Sequence, residues 1–149
     1  MRRKSPSQRG ASAVEFALVL PLLLLVLFGI IEFSVLFYNK AVITNASREG
    51  ARQGIVFYAN SAGNYTPLSN DGIKQVVLDY AQQYLITFSS SPSPLSTGDV
   101  TITRNPDPSE RGGDLTVNVE YTYTYLVLPG LMNWGSTKKI TAVTVMRME

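Results

Sequence analysis

The sequence predicts an α+β protein: a long N-terminal transmembrane helix followed by a small domain of one amphipathic helix packed on an antiparallel sheet of about three strands. Three observations carry this. The run from Phe16 to Phe37 is predominantly apolar and carries no charge apart from Glu32. Between Ile73 and Leu85 the apolar residues recur at helical spacing. From Val100 onward, three stretches alternate apolar and polar residues with the period of a strand.

The first element sets the topology. Phe16 to Ile31 holds no charge, and the apolar character extends to Phe37, close to the ~20 residues that cross a bilayer core. Arg2, Arg3, Lys4 and Arg9 precede it with no acid among them, which places the N-terminus in the cytoplasm and exports everything after about Lys40. The expected localisation is the inner (cytoplasmic) membrane, single-pass, with the lipid bilayer as the first partner. A cleavable secretory signal would have a shorter core and a small-residue cleavage site, and cleavage near Ala41 or Ala46 fits less well because Asn39 to Arg52 reads as a continuing helix. Pro21 is compatible with a gentle bend, since membrane helices re-satisfy the carbonyl that a proline frees. A carboxylate at the centre of a bilayer helix costs about 2.5–3.5 kcal/mol, so Glu15 and Glu32 need partners or a reason. Glu32 lies near the outer end, where a side chain snorkelling to the interface is the ordinary solution.

The exported part follows in order. The helix fades through Gly54 to Tyr58, and Asn60 to Thr66, rich in Ser, Gly and Asn, reads as a loop. Asn70 or Asp71 caps a helix whose stripe is Ile73, Val76, Val77, Tyr80, Ala81, Tyr84 and Leu85. Ser89 to Pro94 ends it, and a strand runs from Val100 to Arg104. Asn105 to Asp114, with two prolines and Gly112-Gly113, reads as an exposed connection. Leu115, Val117, Val119, Tyr121, Tyr123 and Tyr125 then share one face of a long strand, and Lys139 to Met148 forms the last. The tyrosine row is expected in the core. The apolar loop from Leu126 to Trp134 is either a lid on that core or a partner surface, with Trp134 its candidate contact.

Composition removes whole classes of chemistry. Without Cys or His the chain has no disulfide, no thiolate metal site and no histidine base. Two acids alone serve a glycosidase-like site, but the acids are scattered singly. The net charge of +2 comes from 13 Lys and Arg against 11 Asp and Glu; without the four leading cations, nine face eleven, a net of −2. No basic cluster remains to track a phosphate backbone, so no nucleic acid is expected as a partner. No cofactor and no metal are expected, and the chain reads as a non-enzyme.

The segment Arg9-Gly10-Ala11-Ser12-Ala13-Val14-Glu15-Phe16 opens an apolar helix with a basic leader, a Gly, and a Glu at the fifth position after it. It resembles the N-terminus of type IV prepilin-like proteins. Val14 to Pro21 is similar to the TadE-like family in particular. So is Ala46-Ser47-Arg48-Glu49-Gly50-Ala51-Arg52, which resembles that family's Ala-x-Arg-Glu-Gly-Ala-Arg signature, with Ser47 where Ala is usual. The closing Ala142 to Arg147 fits more loosely.

The resemblance implies a minor pilin or pseudopilin of a Tad/Flp-type pilus assembly and secretion system. It implies cleavage by a membrane prepilin peptidase between Gly10 and Ala11, and an assembly or register role for Glu15. It also implies other pilins or pseudopilins and the Tad inner-membrane assembly proteins as partners. The domains on this reading are a leader over 1–10, a long helix over 11–56 that includes the membrane segment at about 16–37, and a pilin-like α+β domain over 57–149. Cleavage would leave an α-amino group on Ala11 whose charge offsets that of Glu15, within one subunit or between packed helices. Arg48, Glu49 and Arg52, on the helix after the membrane, are candidate docking residues or ordinary solvated charges. Glu32 is a further candidate contact. The competing reading is a single-pass anchored extracytoplasmic binding module that is not processed. A major pilin fits less well, because Flp-type major pilins are much shorter.

Overall fold

The computed structural model describes residues 6–59, 63–87, 95–106, 112–126 and 136–148, with side chains from residue 10 onward. Helix α1, Pro6–Gly54, runs unbroken through Pro21. Its two halves have different surroundings. From Gly10 to Ile31 nearly every side chain is exposed and none is buried, whereas from Glu32 onward one face is covered by the rest of the chain. The first half is long and apolar enough to cross a membrane, and none of its most apolar window is buried against the protein. Exposed apolar area costs roughly 25 cal/mol per Å² in water, so a bare rod lined by Phe16, Leu18, Leu22, Leu23, Val26 and Ile30 fits a single-pass membrane anchor.

A short hairpin follows, strand β1 at Phe57–Ala59 pairing antiparallel with β2 at Tyr65–Pro67. The sequence reading expected only a fading helix and a loop. Tyr58, Tyr65 and Thr66 favour extended backbone, and Gly63 at φ 78° supplies the left-handed position that a tight connection uses.

Helix α2 spans Asn70–Tyr84. Its N-cap is Ser69, whose hydroxyl accepts from the backbone N–H of Gly72 at 3.1 Å, one or two residues ahead of the expected cap. Ile73, Val77 and Ala81 form its buried stripe. A 3-10 turn at Thr97–Asp99 leads into β3, Val100–Asn105. The long strands are β4, Asp114–Thr124, and β5, Thr137–Arg147. They form one antiparallel sheet in the order β3-β4-β5, with Val100 opposite Val119 and Tyr121 opposite Ile140. The predicted α+β architecture is therefore present, with each strand within two residues of its expected ends.

Leu115, Val117, Val119, Tyr121 and Tyr123 all point from β4 into the core, as the alternation required. They meet Ile73, Val77 and Ala81 of α2 and Ile43, Ala46 and Ala51 of α1. The second half of α1 is thus a wall of the domain's core. It packs on α2, β4 and β5, so anchor and domain share one continuous helix.

Candidate functional site

Two junctions fix the domain to α1. The first begins at Glu32. It is 1% exposed, at the height where α1 enters the domain. Its carboxyl does not snorkel toward an interface. It accepts from the Tyr123 hydroxyl at 2.6 Å and from the Leu126 backbone N–H, which lies 3.0 Å from each of its oxygens. A helical side chain leans toward the helix N-terminus, which lets Glu32 reach the end of β4. The Tyr123 ring in turn meets Tyr125 edge-on at 5.5 Å.

Burial, and then the bond to Glu32, push the Tyr123 hydroxyl well above the ordinary tyrosine value of 10. A raised folded-state value means that the fold holds this proton more tightly than the unfolded chain does. Its stabilisation is complete below pH 10 and lost as pH rises through the higher folded value. The domain is therefore expected to loosen in alkali, with a shallower loss in Tyr123→Phe; tyrosine near-UV circular dichroism against pH checks this.

Asn39, two turns further along, is buried and uses its amide as a strand would. Its Nδ2 donates to the Ile86 carbonyl at 2.7 Å, and its Oδ1 accepts from the Ile86 N–H at 3.0 Å. This ties the segment after α2 to the membrane helix. Asn39→Ala leaves both backbone groups of Ile86 without that partner, at a cost of about 1–3 kcal/mol. Chemical denaturation of the detergent-solubilised chain reads it.

The second junction is the signature segment. Ala46, Ser47, Gly50, Ala51 and Gly54 face inward, while Arg48 and Arg52 are exposed. A Cβ on Gly50 would lie 2.5 Å from Val77 Cγ2; one on Gly54 would lie 2.5 Å from Leu115 Cδ2 and 2.6 Å from Ile73 Cδ1. These glycines let α2 and the sheet approach the helix backbone. Ser47 donates to the Thr44 carbonyl at 3.0 Å and pairs with the Thr144 hydroxyl at 2.6 Å. The hydroxyl at this position thus has its counterpart in the last strand.

The charged half of the signature is a local ion pair. Arg52 donates through Nε and Nη2 to the two oxygens of Glu49, at 2.9 and 2.6 Å, and Gln53 adds a third bond at 3.0 Å. The bond from Arg52, then that from Gln53, hold the Glu49 carboxyl below the usual carboxylate range. An exposed pair of this kind adds little stability, and it leaves the Arg48 face of α1 open to solvent. Gly10, Ala11 and Glu15 lie together on the exposed N-terminal part of α1, and a Cβ at Gly10 would meet nothing within 4 Å. Trp134 lies outside the described residues.

The small-residue face as far as Ala51, the Glu49–Arg52 pair and the apolar rod all fall within one matched stretch. Residues 10–52 match the model of the TadE-like protein family. The segment read as TadE-like from its residues is the segment the family model covers, under a third of the chain. No curated protein and no solved structure matches the chain. The TadE-like match supports a pilin-like protein associated with a Tad pilus and its components, in a family that is generally non-enzymatic. The sequence alone does not mark Asn39 or the Tyr123–Glu32 bond. Only the unusual polarity of Glu32 within an apolar run signalled one of them.

Proposed function

We propose that this chain is a minor pilin or pseudopilin of a Tad/Flp-type pilus assembly and secretion system, cut by a prepilin peptidase between Gly10 and Ala11. The mature subunit assembles through the helix that begins at Ala11. The observation that carries this reading is the family match, which starts at Gly10, where the basic leader ends and the exposed apolar rod begins. The fold itself places no steric demand on Gly10. A requirement for glycine there would have to come from another protein, as at a peptidase site. Gly50 and Gly54, by contrast, are required by packing within the chain.

Glu15 sits five residues into the mature helix, exposed on the rod and available to the new ammonium group of Ala11 or to a neighbouring helix. Arg48 and the Glu49–Arg52 pair offer a polar surface to neighbouring subunits beyond the membrane. The chain is the peptidase's substrate and carries no catalytic role of its own.

Co-expression with the cognate peptidase, followed by intact-mass measurement, tests the reading. The native chain is expected to lose its first ten residues and Gly10→Val to stay uncut. Glu15→Ala is expected to be cut yet to fall at least tenfold in pilus-associated material. A native chain that stays uncut beside a peptidase active on another substrate would favour the unprocessed, tethered binding module.

A further inference from the structure

The contacts along α1 give the domain a direction. Glu32 bonds to the end of β4, Lys40 donates to the Thr141 carbonyl, and Ser47 pairs with Thr144. Strand β5 therefore runs alongside α1 in the same sense, and β4 runs against it. From Glu32 to Ser47 the helix advances about 22 Å. From Lys138, the register partner of Tyr123, to Thr144 the strand advances about 20 Å. The end of the domain that holds Tyr125, Leu126 and Lys138 thus lies next to the point where the bare apolar rod begins.

That end has the chemistry of a membrane interface. Leu126 is 44% exposed although its backbone is fixed by Glu32, and Lys138, opposite Tyr123 in β5, is exposed at the same end of the sheet. On the far side of α1, Phe33 and Phe37 are exposed with ring centroids 6.5 Å apart, and Tyr38 is exposed one residue on. Aromatic rings and lysines at the end of a spanning segment mark the headgroup region, which occupies about 5–7 Å on each side of the hydrocarbon.

We propose that this rim is a lipid-binding face: the domain sits on the outer leaflet of the bilayer, with Leu126 at the acyl boundary and Lys138 against the phosphates. The occupant follows from continuity with the anchor, because the rim surrounds α1 where the helix leaves the domain. The proposal rests on the membrane-anchor reading. It moves the outer edge of the span from Phe37 to about Ile31. Ala11 to Ile31 then measures about 31 Å, against a hydrocarbon core of about 30 Å. A domain resting on the surface also fixes how deep the helix sits. Glu15, about 25 Å below Glu32 along the axis, is then held within the inner part of the hydrocarbon.

The chain contains no Cys, so single cysteines report without a background. Leu126→Cys, Lys138→Cys, Leu24→Cys and Thr103→Cys, each in the full chain, carry a polarity-sensitive fluorophore in vesicles of phosphatidylethanolamine and phosphatidylglycerol. Lipids spin-labelled near the headgroup serve as quenchers for Leu126, Lys138 and Thr103, and lipids spin-labelled along the acyl chain for Leu24. Thr103 is exposed in β3 at the far end of the domain. The expected result is quenching at Leu126 and Lys138 several-fold above that at Thr103. Quenching at Leu24 with Leu126 and Lys138 no different from Thr103 overturns the seating and leaves the anchor standing. Absence of quenching at Leu24 overturns both. A probe at Leu126 shielded from water yet unquenched by lipid marks a protein neighbour, and also overturns the proposal.

Discussion

Glu32→Ala is expected to cost about 2–4 kcal/mol and to be among the most damaging single substitutions in the chain. The Tyr123 hydroxyl and the Leu126 N–H both give up water to bond this one carboxyl. A buried donor left without its partner costs about 1–3 kcal/mol, and two are affected. Opposing this, removing the carboxylate relieves its own desolvation, which is why the net effect stays below the sum. Glu32→Gln keeps the shape and one acceptor oxygen, and is expected to cost roughly half as much. The decisive measurement is a double-mutant cycle of Glu32→Gln with Tyr123→Phe, read by equilibrium denaturation of the detergent-solubilised chain. A coupling energy of about 1–3 kcal/mol is expected. Coupling below about 0.5 kcal/mol would mean that the carboxyl's burial owes nothing to the tyrosine.

This junction marks the boundary between what the sequence makes legible and what it does not. The alternation from Leu115 to Tyr125 and the helical stripe through Ile73, Val77 and Ala81 report burial directly, since each residue's environment follows from its own local period. The partner of Glu32 lies 91 residues away, and that of Asn39 lies 47 away. No local period encodes such a pairing. The polarity of Glu32 in an apolar run says only that something must satisfy it. Strands β1 and β2 escaped for a different reason, because three residues are too few for alternation to show. The cap of α2 was ambiguous because Ser69, Asn70 and Asp71 are consecutive and all suited to capping. In the signature segment the resemblance named a set of residues, but which of them face the core and which face solvent needed the packing. The small residues face the core, and the arginines face out.

That division leads to the second large effect, at Gly50 and Gly54. Alanine in a helix interior is favoured over glycine by about 0.5–1 kcal/mol, so on an isolated helix both substitutions would stabilise. Here each added methyl meets a fixed obstacle. Val77 is β-branched, with little rotamer freedom in a helix, and its Cγ2 would be 2.5 Å away from the methyl at Gly50. At Gly54 two side chains, Leu115 and Ile73, would both have to retreat, and both are fully buried in the core. Overpacking a tight core costs about 1–3 kcal/mol per site, which exceeds the propensity gain. Gly54→Ala is expected to lose about 1–2 kcal/mol. The Gly50→Ala, Gly54→Ala pair is expected to lose about 2–4, departing from additivity through Ile73, which the Gly54 methyl would crowd at 2.6 Å and the Gly50 methyl would touch at 3.4 Å. Urea denaturation of the solubilised chain checks the values, and Ile73→Val, which removes a methyl from the shared neighbour, should recover part of the loss at Gly54. Full stability in the double variant would mean that α1 stands further from α2 and the sheet than these contacts describe. Gly50 and Gly54 would then answer to a partner helix instead of to the domain's own core.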